Sequence, residues 1–151
     1  MSNIFTDGRL GLTAALQGDA DIDARVRTWF DFGPGLSRRR AIEPASCPAL
    51  SIAPAEGAEV PVANVEREVP HLLLVEVATD GQDVAPCEEL AALVIARVHA
   101  CNDDCLGLAG EGLASLRPRR LTWAAEPRPD AARIVWRARI EVELLWRLVQ
   151  P

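Results

Sequence analysis

The chain has 151 residues, of which 49% are apolar and 25% charged, a size and balance that suit one domain with an ordinary core. Its net charge of −6 and pI of about 4.9 argue against a general nucleic-acid binder, whose footprint is basic. All 16 cationic residues are Arg, and the planar guanidinium fork pairs bidentately with carboxylates, so these side chains can matter at interfaces.

Residues 2–17 predict a short helix on the apolar surface of Leu10, Leu12, Ala14, Ala15 and Leu16, although Gly8 and Gly11 lower the propensity there. The opening MSNIFTDGRLGLTAALQ has no basic start followed by an unbroken apolar stretch, so no secretory leader is expected. No apolar run approaches the roughly 18 residues of a membrane span. The four cysteines are therefore expected as thiols in a reducing compartment.

QGDADID then reads as a turn. ARVRTWFDFG alternates Val26, Thr28, Phe30 and Phe32 against Arg25, Arg27, Trp29 and Asp31, a period of two that predicts a strand stopped by Gly33, Pro34 and Gly35. Residues 36–48, with SRRR and two prolines, read as loop. Two or three strands are expected over 49–81. Pro54 and Gly57 break the first. Pro61 and Pro70 point to edge positions or bulges, because proline cannot donate to a ladder. HLLLVEVAT (71–79) is dense in apolar residues and is placed centrally.

The clearest helix covers 84–101. Asp83 is its candidate N-cap, and Pro86 suits the first turn. Glu88 and Glu89 favour the positive end of the dipole. Leu90, Leu93, Val94, Ala96, Val98 and Cys101 form its apolar stripe. NDDCLGLAGEG ends it with glycine-rich turn chemistry. LASLRPRRLTWAAEP is a strand with Pro118 as an irregularity, and EPRPD is a turn.

RIVWRARIEVELLWRL (133–148) follows. One phase holds Ile134, Trp136, Ala138, Ile140, Val142, Leu144, Trp146 and Leu148, wholly apolar as a half-buried strand requires. The other phase holds Val135, Arg137, Arg139, Glu141, Glu143, Leu145, Arg147 and Val149. A helix would scatter those charges around its cylinder. At about 3.3 Å per residue the run reaches roughly 53 Å, against about 17–20 Å for an ordinary strand. It is expected to bend or to project, offering unpaired backbone to a neighbour. The charges on its wet face carry both signs, which suits pairing between subunits.

The order of elements predicts an α+β fold: a mostly antiparallel sheet with a long C-terminal strand, flanked by one or two helices. It forms a single domain over 1–151, with about 34–63 an irregular, loop-rich insertion.

HACNDDC gathers metal-ligand types in His99, Cys101, Asp103, Asp104 and Cys105, but a structural zinc site needs four ligands, usually as two spaced pairs. Cys47 and Cys87 are distant singles, so Cys101 is read as packing under the helix, and no metal and no cofactor are expected. A nucleophilic cysteine needs a nearby base, and neither His71 nor His99 is placed toward one by spacing. No P-loop, GxGxxG or HExxH occurs, so no catalytic residue is assigned and no enzyme is expected. The basic clusters SRRR (37–40) and RPRR (117–120) suit protein contact better than nucleic acid in an acidic chain. Trp123, Trp136 and Trp146 are read as core by phase, and Trp29 as the exposed tryptophan.

From about residue 49 the chain resembles the small tail-terminator and related neck or minor tail proteins of tailed bacteriophages and prophages. VPHLLLVEVATDG, PCEELAALVIARVHA, LRPRRLTWAAEP and ARIVWRARIEVELLWRL carry the likeness through their order. The resemblance implies an α+β subunit that assembles into a hexameric ring, caps the finished tail tube and helps join it to the head. It implies partners in the chain itself, the tail-tube protein and neck or connector proteins, with neither membrane nor nucleic acid among them. It implies location in the virion tail, and in the bacterial cytoplasm during assembly. Arg117, Arg119, Arg120, Arg137, Arg139, Glu141 and Glu143 are the expected subunit-interface residues. The alternatives are a head–tail completion or other minor tail protein, or a small intracellular adaptor.

Overall fold

A computed structural model describes residues 3–30, 44–55, 68–127 and 133–148. The first helix, α1 (Ile4–Gln17), starts where Asn3 Oδ1 accepts the Thr6 N–H at 2.9 Å. Gly8, a weak helix former, is what lets α1 lie against the sheet. A Cβ there would stand 2.9 Å from Leu144 Cδ2 and 3.0 Å from Trp146 Cζ2.

QGDADID is not only a turn, because most of it forms α2 (Ala20–Arg25). Asp19 Oδ1 accepts from the N–H groups of Asp21 and Ile22, at 3.0 and 3.2 Å, and fully buried Ile22 anchors the single apolar side. Arg25 therefore ends a helix, and the strand begins only at β1 (Thr28–Phe30). Asp31, Phe32 and the SRRR cluster lie outside the described residues, as does most of the 34–63 insertion.

β2 (Ala49–Pro54) runs parallel to β1 and antiparallel to β3 (Glu68–Gly81). α3 (Ala85–Cys101) leads through two short 3-10 turns to β4 (Leu113–Pro127), which pairs with β5 (Ile134–Arg147). The sheet order is β1-β2-β3-β5-β4, antiparallel except for β1 with β2. With the three α-helices of the described residues beside it, this is an α+β fold with a long C-terminal strand. No helix among the described residues is long and apolar enough to cross a membrane.

Asp83 does not occupy the N-cap of α3. Val84 does, and Asp83 Oδ1 accepts the next N–H, that of Ala85, at 2.9 Å. The helix buries Cys87, Leu90, Ala91, Val94, Val98 and Cys101 against the sheet, whereas Ala96 is exposed. Gly112 has φ of 106°, and a Cβ there would meet the Arg147 carbonyl oxygen at 2.6 Å. Glycine is thus required where the chain turns into β4.

The core lies between the helices and one face of the sheet: Leu12, Leu16, Ile22, Leu73, Val75, Leu90, Val94, Ile140, Val142, Leu144 and Trp146 are all buried there. The wholly apolar phase of β5 supplies its centre. Two of the tryptophan assignments reverse, since Trp29 is half-buried against the core while Trp123 is 49% exposed. Trp123 stands on β4, the last strand in the order of the described sheet.

The length of β5 has a different cause from projection. The strand is paired along its whole length on both sides, from Glu68↔Arg147 to Gly81↔Ile134 with β3 and from Leu113↔Trp146 to Pro127↔Ile134 with β4. Among the described residues the long edge without a pairing strand is instead that of β4, the last strand in the order. Pro70 lies beyond the last β2–β3 pair of the described residues, Pro54↔Leu73, and stands opposite Leu145 of β5.

Candidate functional site

The charged phase of β5 sits on the sheet face away from the helices. Arg137, Arg139, Glu141 and Glu143 stand in a row along it. Small residues flank Arg137, with Ala78 opposite on β3 and Ala124 opposite on β4. They leave room for the guanidinium to reach the diagonal neighbours. Nη1 lies 2.9 Å from Glu76 Oε1, and Nε lies 3.1 Å from Glu126 Oε1. Glu76 turns its second oxygen to Arg139 Nε at 3.5 Å. One carboxylate thus holds two guanidiniums, and one guanidinium holds two carboxylates.

This end of the face is not wet. Arg137 is 3% exposed and Glu76 8%. Beside them a second small core gathers Cys47, Ala49, Ala78 and Val135, with Phe30 packed against it. The expectation that Arg137 faces solvent is therefore corrected: its partners lie within its own chain.

The other end matches the expectation of a solvated charged surface. Arg117 Nη2 stands 3.2 Å from Glu143 Oε1, and Arg119 Nη1 stands 3.6 Å from Glu143 Oε2, so one carboxylate bridges two arginines. Arg120 Nε lies 3.9 Å from Glu141 Oε2. The side chains of Arg117, Arg119 and Arg120 are 68%, 48% and 66% exposed. Arg119 owes its place to a bulge, because the ladder passes from Pro118↔Val142 to Arg120↔Glu141 and skips it. The irregularity expected at Pro118 is this bulge.

All seven arginines and glutamates singled out from the sequence share this face, divided between a dry and a wet end. Sequence reasoning missed Glu76 and Glu126, the acids that hold Arg137. Glu76 had a signal: it is the one charged residue inside HLLLVEVAT, and an unexplained charge in a central strand calls for a partner.

His71 is buried in β3. Its Nδ1 accepts the indole N–H of Trp146 at 3.5 Å, and its ring meets Phe5 edge-on at 5.0 Å between centroids. Burial lowers its pKa to about 4. All four cysteines are buried. Burial pushes the Cys87, Cys101 and Cys105 thiols up, away from the thiolate that a nucleophile needs. Cys101 packs into the core, whereas His99 is exposed. Among the described residues no three potential ligands are placed to hold a metal ion.

No protein-family description matches the chain, and no curated protein matches it. Among solved structures, a chain from the virion of a native gene transfer agent particle is similar. The identity is 18%, the TM-score 0.59, and the match covers 95% of this chain and 99% of that one. The two chains share a fold over essentially their whole lengths.

Proposed function

We propose that this chain is a structural component of a phage-like particle, and within it a ring-forming tail terminator that caps the tail tube and helps join it to the head. The observation that carries this reading is the whole-length likeness to a chain of a gene transfer agent virion. The order of elements that resembles tail-terminator proteins supports the finer assignment. The exposed arginines of β4 beside Glu141 and Glu143 add a surface suited to contact between copies.

In this role the protein works by shape and charge, without a catalytic group, and is found in the virion tail after assembly in the bacterial cytoplasm. The test is to express the chain with the tail-tube protein of its own genome and image the tubes by negative-stain electron microscopy. The expected result is a closed ring of six copies at one end of each tube. A chain that remains monomeric by light scattering, both alone and with the tubes, would overturn the terminator reading. Decoration of the head connector in place of the tube end would move the assignment to head–tail completion.

A further inference from the structure

At the end of the sheet away from Gly8, Trp136 lies opposite Ala125 and Trp123 lies opposite Ala138 across the β4–β5 ladder. Both indoles therefore stand on the helix side as diagonal neighbours. They do not stack on each other, for among the described residues the one ring pair is Phe5 with His71. Instead they line an open, shallow cavity of about 400 Å³ with Val84, Glu88, Ala124 and Ala125. Trp136 already donates its indole N–H to the Gly81 carbonyl at 3.2 Å, so it offers the cavity a ring rather than a donor. Trp123 is 49% exposed. Val84 and Glu88 are four residues apart at the start of α3, which sets the carboxylate over the same cavity. Glu88 is exposed and makes no ion pair among the described residues.

We propose that this cavity receives an arginine side chain presented by a partner protein. Indole faces are negative and attract a cation held over them. A planar guanidinium can lie flat on an indole while its edge reaches a carboxylate, which a compact ammonium does less well. The start of α3 carries about half a positive charge, which opposes a cation. Asp83, Glu88 and Glu89 cluster there, and three carboxylates outweigh it. The outer edge of β4, which no strand of the described residues pairs, runs past the cavity and bears the exposed Leu121 and Trp123. An extended partner segment can pair its backbone there while its arginine enters the cavity.

The probes are L-argininamide, L-lysinamide and the uncharged L-norleucinamide, titrated against the full chain while the Trp123 indole resonance is followed by NMR. The expected result is a saturable shift with L-argininamide, with weaker binding of the other two. Glu88→Gln should weaken L-argininamide binding about fivefold. Trp136, followed in Trp123→Leu, should lose its shift. Both substitutions are at exposed positions, and an unchanged circular dichroism spectrum confirms the fold. A shift just as strong with L-norleucinamide would overturn the proposal in favour of an apolar occupant. Equal binding of L-lysinamide would overturn the choice of arginine. Unchanged binding in Glu88→Gln, or no saturable shift in the unmodified chain, would overturn the site.

Discussion

The two ends of the charged sheet face are built from the same residue types on the same strand, yet they do opposite work. Around Arg137 the ion pairs are dry, with Glu76 and Arg137 both under a tenth exposed. Around Glu143 the arginines reach it from solvent. The difference comes from neighbours. Ala78, Ala124 and Val135 surround Arg137 with small or apolar groups. The face around Glu143 has Arg117 and the bulged Arg119 instead. Alternating charge along a strand therefore says which face a side chain takes, and the adjacent strands decide whether water comes with it.

The largest expected effect lies at the dry end. Arg137→Ala would leave Glu76 buried and lacking its closest cation, and breaking a buried pair from one side costs about 3–5 kcal/mol. Urea denaturation should show a drop of that order in unfolding free energy. A loss below about 1 kcal/mol would mean that water reaches this network as freely as it reaches Glu143. An assembly test based on reversing the charge of Arg137 would therefore mostly measure unfolding.

The next largest contribution comes from His71, and a pH scan reads it. Its folded pKa, about 4, lies below the ordinary 6.5. The unfolded chain therefore binds the proton first as pH falls. Stability contributed by neutral His71 is whole above pH 6.5, declines as pH drops, and is exhausted near pH 4. The shift corresponds to at most about 3 kcal/mol. In His71→Gln the decline between pH 6.5 and 4 should be flatter, whatever its overall stability. An unchanged slope would show that His71 already takes up its proton in the folded state.

Glu126 tests the boundary between the two ends. It holds the same guanidinium as Glu76, but its side chain is 38% exposed. Glu126→Gln should cost about 1 kcal/mol, well below the effect of Glu76→Gln, because water can replace the lost carboxylate. Equal losses in urea denaturation would show that the dry region extends to the edge strand.

Much of the fold was legible because burial leaves a periodic mark. The alternation in β5 and the apolar density of β3 gave the central strands, and the stripe of α3 gave its face. Short local chemistry was harder to read. Asp19 caps α2, but a six-residue helix has too little periodicity to stand out from a turn. Gly8 looked like a defect in a helix, whereas its value lies in contacts with Leu144 and Trp146, more than a hundred residues later. Phase placed the four β5 candidates, Arg137, Arg139, Glu141 and Glu143, on one face, and the β4 ladder brings Arg117, Arg119 and Arg120 to it. It could not divide them, because the division depends on Ala78 and Glu76 of β3 and on Ala124 and Glu126 of β4, which no pattern within β5 encodes.

The smallest effect on folding is expected at the wet end, and there it is most informative. Arg117 and Arg119 share a single carboxylate, so removing one leaves Glu143 with the other. The pairs are exposed, and such pairs contribute about 0–1 kcal/mol. Arg119→Glu should therefore leave the urea midpoint nearly unchanged. It would place a second negative charge beside Glu143 and alter the surface that a neighbouring copy would meet. If this surface joins subunits, the variant folds normally but forms fewer rings on tail tubes, and the deficit shrinks at high salt as the repulsion is screened. Normal ring formation in a folded Arg119→Glu chain would show that subunits meet elsewhere. A large fall in stability would show instead that these arginines, like Arg137, serve their own sheet first.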